Sequence, residues 1–274
     1  MPDITLTIAP FAPAHLPGAL ALSQAESWPH RAEDWALFLS LSRGVVALAD
    51  DRVAGTALLT RFGQVGLVNM IIVGPELRGR GLGRKLVQAA METADVPEFR
   101  LIATEAGLPL YRKMGFVETG VIRQHQGQVV PLAAPEGITW ASAADSAALA
   151  ALDLRATGTD RAGLIDALLA QGRIAMLQTG DQIAFAGIRT FGRGLVAGPV
   201  IAETTEQARR LLTAVMAAHP GAFLRVDTPE DSGLGDWLTE RGLAHVGGGI
   251  AMSTTPQPHT DTTRSFALAA QALG

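Results

Sequence analysis

Residues 78–83 read Arg-Gly-Arg-Gly-Leu-Gly. Glycines at 79, 81 and 83 strip the backbone of side chains, so its N–H groups can close on an anion and φ > 0 is allowed. The apolar run ending Ile71-Ile72-Val73 reads as a strand leading into this loop through Pro75. After the loop, Leu82, Leu86, Val87 and Ala90 recur at helical spacing and predict a helix from Leu82 to about Ala94 with one face on a sheet. The first N–H groups of such a helix lack intrahelical partners and point back at the loop. Arg78, Arg80, Arg84 and Lys85 add positive charge around it. Together these residues make a cradle for a pyrophosphate. Spacing separates it from other phosphate loops: the pattern Gly-x-Gly-x-x-Gly would need glycine where Arg84 stands, and Gly-Lys-Ser/Thr is absent because Gly83 precedes Arg84-Lys85.

The elements that must position this loop belong to a chain of 274 residues, enough for one large or two modest domains. Hydrophobic residues make up 48% against 18% charged, the balance of a well-buried globular protein. A net charge of −4 gives no general basic field for nucleic acid or an anionic membrane. Cysteine is absent, which excludes a disulfide framework, a thiolate zinc site and an acyl-cysteine intermediate. None of the six histidines falls in a His-x-x-x-His pair, so no metal site is expected. Residues 4–25 are interrupted by Pro10, Pro13 and Pro17 and have no charged segment before them, so they do not read as a signal peptide. No stretch offers the run of about 20 apolar residues a membrane span needs. The expectation is a soluble cytoplasmic protein without membrane or nucleic-acid partners, with homo-oligomerisation left open.

The chain repeats itself. Val45-Val46-Ala47-Leu48, Asp50-Asp51, then Val53 to Leu58 and Phe62-Gly63 is echoed by Ile174-Ala175-Met176-Leu177, Gly180-Asp181, then Ile183 to Ile188 and Phe191-Gly192. Both read as tight hairpins. Ile4-Thr5-Leu6-Thr7 matches Ile138-Thr139-Trp140 as an opening strand. Helices are expected from Arg31-Ala32 to Gly44 and from Arg161-Ala162 to Gly172, and residues 111–116 match 238–243. The shared order predicts a duplicated α+β fold: residues 1–128, a Pro-bounded linker at 129–137, a second unit at 138–255, and a tail at 256–274 whose apolar end docks on a domain or a partner. The second half reads Gly198-Pro199-Val200-Ile201-Ala202-Glu203 after its strand and then a helix around Gln207–Ala218, with neither the alternating glycines nor the arginines. It is not expected to bind the same ligand.

Leu110-Tyr111-Arg112-Lys113-Met114-Gly115-Phe116 is similar to the Leu-Tyr-x-x-x-Gly-Phe motif of the GCN5-related N-acetyltransferases (GNAT), and Arg78–Gly83 resembles that family's Arg/Gln-x-x-Gly-x-Gly/Ala loop. The resemblance covers residues 4–124 well and 138–253 as a degenerate copy. It implies two tandem GNAT-like domains, each a mixed, mostly antiparallel sheet flanked by helices, the first intact and the second eroded. It implies acetyl-CoA as cosubstrate, held by Arg78, Gly79, Arg80, Gly81, Leu82, Gly83 and Arg84. The strand ending Ile71-Ile72-Val73 would pair with the pantetheine amides where two strands splay apart. Tyr111, the only tyrosine, stands in the family's general-acid position; the alternative is a tyrosine that packs under the loop or bonds the CoA sulfur without giving up a proton.

The pattern is broken where many members have Asn and Ala and this chain has Thr104 and Gly107. Thr104 is the candidate contact to the cofactor arm. No glutamate base is evident on the strand, which offers Leu67, Val68 and Asn69; a water chain ending at Asn69, Glu105 or an acidic acceptor-site residue could do that work. The fold directs the acceptor to Glu26, Trp28, His30, Asp34 and Trp35, an aromatic wall with carboxylates suited to a cationic amine, although Trp35 also fits a core position and Asp34 a helix start. In the second half Asp160-Arg161 and Asp227 stand out, Asp160 as an N-cap and Asp227 as a strand-end solvent charge. The implied activity is acetyl transfer to a small-molecule amine in a ternary complex. The rival is a non-catalytic acyl-CoA-binding or sensory module.

Overall fold

The computed structural model describes residues 6–180, 182–258 and 260–274. Ile4 and Thr5 of the first expected strand and Asp181 of the second hairpin turn lie outside the described residues. The chain forms two compact units that divide at Leu101/Ile102.

In the first unit, β1 (Leu6–Pro10), α1 (Leu16–Ala25), α2 (Ala32–Leu41), β2 (Ser42–Ala49), β3 (Arg52–Phe62), β4 (Val65–Val73) and α3 (Leu82–Met91) precede β5 (Glu98–Ala103), which carries the chain across the divide. The strands lie in the order β1-β2-β3-β4-β5, antiparallel except for the parallel pair β4–β5. Asp50 and Asp51 both take positive φ, 47° and 64°, the conformation a two-residue hairpin turn requires. Leu82, Leu86, Val87 and Ala90 are all buried, as their spacing predicts. The helix ends at Met91 rather than near Ala94; the Thr93 hydroxyl donates to the Ala90 carbonyl at 2.7 Å as the chain leaves it. α2 likewise stops at Leu41, short of Gly44. Gly44 is a strand residue, where a Cβ would lie 2.5 Å from the Ala57 carbonyl oxygen, so it serves close strand approach rather than a helix stop.

β4 carries the feature that matters most for the site. Between the pairs Leu58↔Asn69 and Thr56↔Ile72 it advances one residue further than β3. Met70 sits in this bulge at φ 48°, its carbonyl held by the Thr56 hydroxyl at 2.7 Å. Bulges bend a strand and re-aim the residues beyond them. Pairing of β4 with β5 is confined to Val65–Leu67, so the β4 edge beyond Leu67 has no strand partner among the described residues.

The second unit contains α4 (Leu108–Lys113), β6 (Val117–Gln128), β7 (Ile138–Trp140), α5 (Ser146–Thr157), α6 (Ala162–Gln171), β8 (Gly172–Thr179), β9 (Gln182–Phe191), β10 (Gly194–Ala202), α7 (Thr205–Ala217), β11 (Phe223–Pro229), α8 (Gly235–Glu240), β12 (Ala244–Ser253) and β13 (Arg264–Ala267). Its sheet runs β12-β6-β11-β10-β9-β8-β7, with β13 against β10. β6 is antiparallel to both neighbours over most of its length. Leu211, Leu212, Val215 and Met216 of α7 pack with Val200 and Phe266 in the core. Each unit is thus a mixed, mostly antiparallel sheet with flanking helices.

Three expectations change here. Gly198–Ala202 belongs to β10 rather than to a turn after it; the strand bulges between Ala197↔Ile188 and Val200↔Ala186, where the Gly-Pro pair interrupts the apolar alternation. α7 begins at Thr205, because the Thr204 hydroxyl accepts from Gln207 N (3.2 Å) while Gln207 Oε1 accepts from Thr204 N (3.2 Å) and Glu203 N (3.0 Å). Asp227 is buried, not a solvent charge, and accepts from Arg225 at 2.8 and 3.0 Å. Asp160 does assist a helix start, its carboxylate accepting from Ala162 N at 3.2 Å.

Candidate active site

The first unit holds the glycine loop. From β4 the chain passes through Gly74 and one tight turn at Pro75–Leu77. Gly79 and Gly81 come next, at φ 74° and 78°. A Cβ at either would meet nothing within 4 Å, so glycine is demanded by the left-handed backbone and not by crowding. Gly81 is the N-cap of α3 and supplies no side-chain hydrogen bond, which leaves the first N–H groups of the helix for an external acceptor. Arg80 and Arg84 are exposed and make no ion pair among the described residues. Arg78 differs: its Nε donates to the Val73 carbonyl at 3.0 Å and its Nη2 is paired with Glu26. Arg78 therefore braces the loop against the end of α1, and Glu26 is its anchor.

Behind the loop, Ile72 is buried while Ile71 and Val73 are half-buried along the free edge of β4. Asn69 precedes the bulge. Its Nδ2 donates to Thr60 Oγ1 (2.9 Å) and the Leu67 carbonyl (3.1 Å), and Thr60 Oγ1 shares a 2.6 Å hydrogen bond with Ser42 Oγ. Asn69 Oδ1 is buried without a hydrogen-bond partner among the described residues.

The expected acceptor residues sort into two groups. Trp28 and His30 meet edge to face with ring centres 5.7 Å apart, and His30 reaches Phe38 at 5.6 Å. Trp35 is fully buried, its indole N–H on Ser23 Oγ at 3.0 Å, so it is core. Asp34 is 1% exposed. It accepts from the backbone N of Arg31 at 2.9 Å and from that guanidinium at 3.1 and 2.9 Å, an N-terminal cap of α2. The aromatic pair stands together; Asp34 is occupied elsewhere.

In the second unit, the exposed Thr104 opens α4 through its carbonyl, which accepts from Gly107 N (2.9 Å) and Leu108 N (3.2 Å). Glu105 beside it is exposed. Tyr111 is 6% exposed, packs on Phe116 with centroids 6.1 Å apart, and its hydroxyl has no hydrogen-bond partner among the described residues. Burial pushes its phenol up to about 12. Gly107 explains itself here: a Cβ would lie 2.7 Å from Tyr111 Cε2. In the sequence Gly107 is only a departure from pattern, whereas its role is to admit the tyrosine ring. Among the described residues no group of three or more histidines and carboxylates could hold a metal ion, and no helix is long and apolar enough to cross a membrane.

An anion-ready helix start after a bulged, half-freed strand, repeated in degenerate form, defines the acetyltransferase class. Two family profiles, each described as an acetyltransferase (GNAT) domain, match residues 40–118 and 149–267. The chain belongs to the GNAT family and is an acetyltransferase of that type. It is 30% identical over 271 residues to the uncharacterized N-acetyltransferase YitH of Bacillus subtilis (strain 168), covering 95% of each chain. It is 26% identical over 262 residues to the holothin acyltransferase of Pseudoalteromonas sp. (strain SANK 73390), covering 91% of this chain and 88% of that one. The fold matches the crystal structure of a candidate acetyltransferase from Pyrococcus horikoshii with a TM-score of 0.84 at 18% identity, over 98% of this chain and 96% of that one.

Proposed function

We propose that the chain moves an acetyl group from acetyl-CoA to a primary amine of a small molecule by direct attack while both are bound. The observation that carries the reading is the left-handed pair Gly79 and Gly81 at the uncapped start of α3. These residues fit a pyrophosphate, since the positions a Cβ would take are open and the helix amides are free of side-chain caps. Gly79, Gly81, Leu82 and Gly83 hold it with their backbone, and Arg80 and Arg84 neutralise it. Arg78 keeps the loop in place. The edge groups of Ile71, Ile72 and Val73 take the pantetheine amides, with Thr104 on the cofactor arm, and a backbone N–H of that edge polarises the thioester carbonyl.

An alkyl amine of pKa near 10 is about 0.1% neutral at pH 7, so its deprotonation accounts for about 4 kcal/mol of the barrier. Asn69 and Glu105, through water, are the groups we assign to guide that proton out. Trp28 and His30 wall the acceptor. The amine nitrogen then bonds the acetyl carbon as the carbon–sulfur bond breaks; the electron pair stays on sulfur, and the proton the nitrogen sheds as the amide forms leaves by the same water path. Tyr111 is the acid. Burial keeps its phenol protonated well past neutral pH, and the O–H donates to the sulfur as charge grows there. The burial that keeps the phenol protonated also makes it a poor donor of a whole proton, so hydrogen-bond donation is the larger part of its role.

We take the duplication units as 1–128 and 138–255, joined by 129–137 and followed by 256–274, with one active repeat. The relative named holothin acyltransferase supports acyl transfer over a binding role. The test is a panel of amines assayed for free CoA. Release with at least one amine is expected; binding of acetyl-CoA with no release across the panel would instead make the chain a non-catalytic acyl-CoA-binding module.

A further inference from the structure

β10 and β11 begin as a parallel pair, Leu195↔Leu224 and Val196↔Arg225, and then part, as β4 and β5 do after Leu67↔Arg100. Each of the leading strands bulges next: β4 between Asn69 and Ile72, β10 between Ala197 and Val200. The bulge therefore survives in both repeats. The long loop beyond it survives only in the first. Residues 74–81 separate β4 from α3, whereas only Glu203 and Thr204 separate β10 from α7.

The opening between β10 and β11 is filled by the chain's own residues 264–274. β13 lies antiparallel on β10, Val200↔Ala267, Ile201↔Ser265 and Ala202↔Arg264. On the other side Leu268 N donates to the Asp227 carbonyl at 2.8 Å, and Thr228 Oγ1 to the Phe266 carbonyl at 2.7 Å. One short segment thus satisfies both parted strands. Phe266, Ala267, Ala269 and Ala270 are buried. At Gly198 a Cβ would fall 1.9 Å from the Leu268 carbonyl oxygen, so the backbones touch where only glycine fits. Both ends are clamped. Asp261 accepts twice from Arg155 at 3.1 Å. Arg161, buried on Asp153 at 2.8 and 2.5 Å, donates to the carbonyls of Leu273 (3.3 Å) and Gly274 (2.5 Å).

The structure assigns residues 264–274 the place of the pantetheine arm in the second repeat: the segment bars acyl-CoA from that repeat, and the protein binds one acyl-CoA per chain, at the first. The inference rests on the cofactor reading proposed above. The chemistry is strand addition, in which an extended backbone with alternating N–H and C=O groups occupies an open edge. Being tethered, the segment competes as an intramolecular ligand, at an effective concentration in the millimolar range.

The test is calorimetric titration of the full chain with CoA, repeated on a Val200→Cys, Ala267→Cys double variant. The chain has no other cysteine. Partners directly opposite in an antiparallel register have Cα atoms about 4.5–5.5 Å apart, within disulfide reach, and the double exchange roughly conserves volume. We expect one CoA per chain with Kd within twofold whether the pair is reduced or oxidised, and loss of that binding in Gly81→Val. Two CoA per chain, the second lost on oxidation, would overturn the bar and leave the cofactor reading standing. No CoA at all would overturn the cofactor reading, and the bar with it. Amide hydrogen exchange gives a readout without CoA: Ile201, Ala202, Ala267 and Leu268 should exchange as slowly as the core strands, and fast exchange there would refute the docking itself.

Discussion

Gly81→Ala isolates one physical variable. Gly81 sits at φ 78° with open space where a Cβ would go, so the substitution introduces no clash and its whole effect is conformational. Holding alanine in the left-handed region costs about 1–2 kcal/mol. That energy has two outlets. If the loop keeps its shape, the folded state loses it and the melting temperature falls by several degrees. If the loop relaxes to negative φ, stability is kept and the amides no longer converge, so CoA affinity drops by roughly 5- to 30-fold, the same energy as a binding constant. Thermal melting and CoA titration on one preparation should together recover about 1–2 kcal/mol. Gly81→Asn should restore most of it, because asparagine tolerates this region. An alanine variant matching the parent in both stability and Kd would refute the requirement for a left-handed residue, and with it the account of the loop.

Gly107→Ala should push the Tyr111 ring by nearly 1 Å to relieve the 2.7 Å approach; a displacement of that size can cost on the order of 10²-fold in rate, so kcat falls 10- to 100-fold with CoA Kd within twofold, and an unchanged kcat would show that the ring moves freely. Tyr111→Phe should lower kcat by about 10²-fold or more without altering CoA affinity. In the parent, ionisation of the phenol removes the donor, and burial moves that event up to about 12; the pH–rate profile should therefore show no loss from this group near pH 10, and a fall there that vanishes in the phenylalanine variant would count against the buried acid. Asp34→Ala removes the α2 cap and the buried partner of Arg31, so stability should fall by about 1–2 kcal/mol in a melting experiment with the amine KM unchanged. A raised KM at unchanged stability would return Asp34 to the acceptor site.

The loop and α3 were legible because they are local: strand, glycines and helix periodicity come one after another, and Leu82, Leu86, Val87 and Ala90 fall on the face their spacing predicts. The β2–β3 hairpin was legible for the same reason, from Asp50-Asp51 between two apolar runs. Asp34 was ambiguous because a carboxylate near a helix start serves capping and amine binding with the same chemistry, and only its hydrogen bonds to Arg31 decide. Asp227 was misread because its partners Arg225 and Gln271 approach from its own strand and from the distant chain end. Gly198-Pro199 hid the rest of β10, since a bulge erases the alternation by which strands are read. The pairing of β6 with β11 and β12 left no signal at all: nothing in residues 117–128 names neighbours about a hundred positions or more away.

That placement of β6 bears on how this chain could ever be taken apart. Its two edges are both covered by strands that come later in the sequence, so a fragment stopping at residue 128 would leave a long strand bare on both sides, a template for aggregation. The second repeat therefore has a structural duty apart from any chemistry: its strands β11 and β12 close both edges of β6, so its loops are free to vary in a way those strands are not.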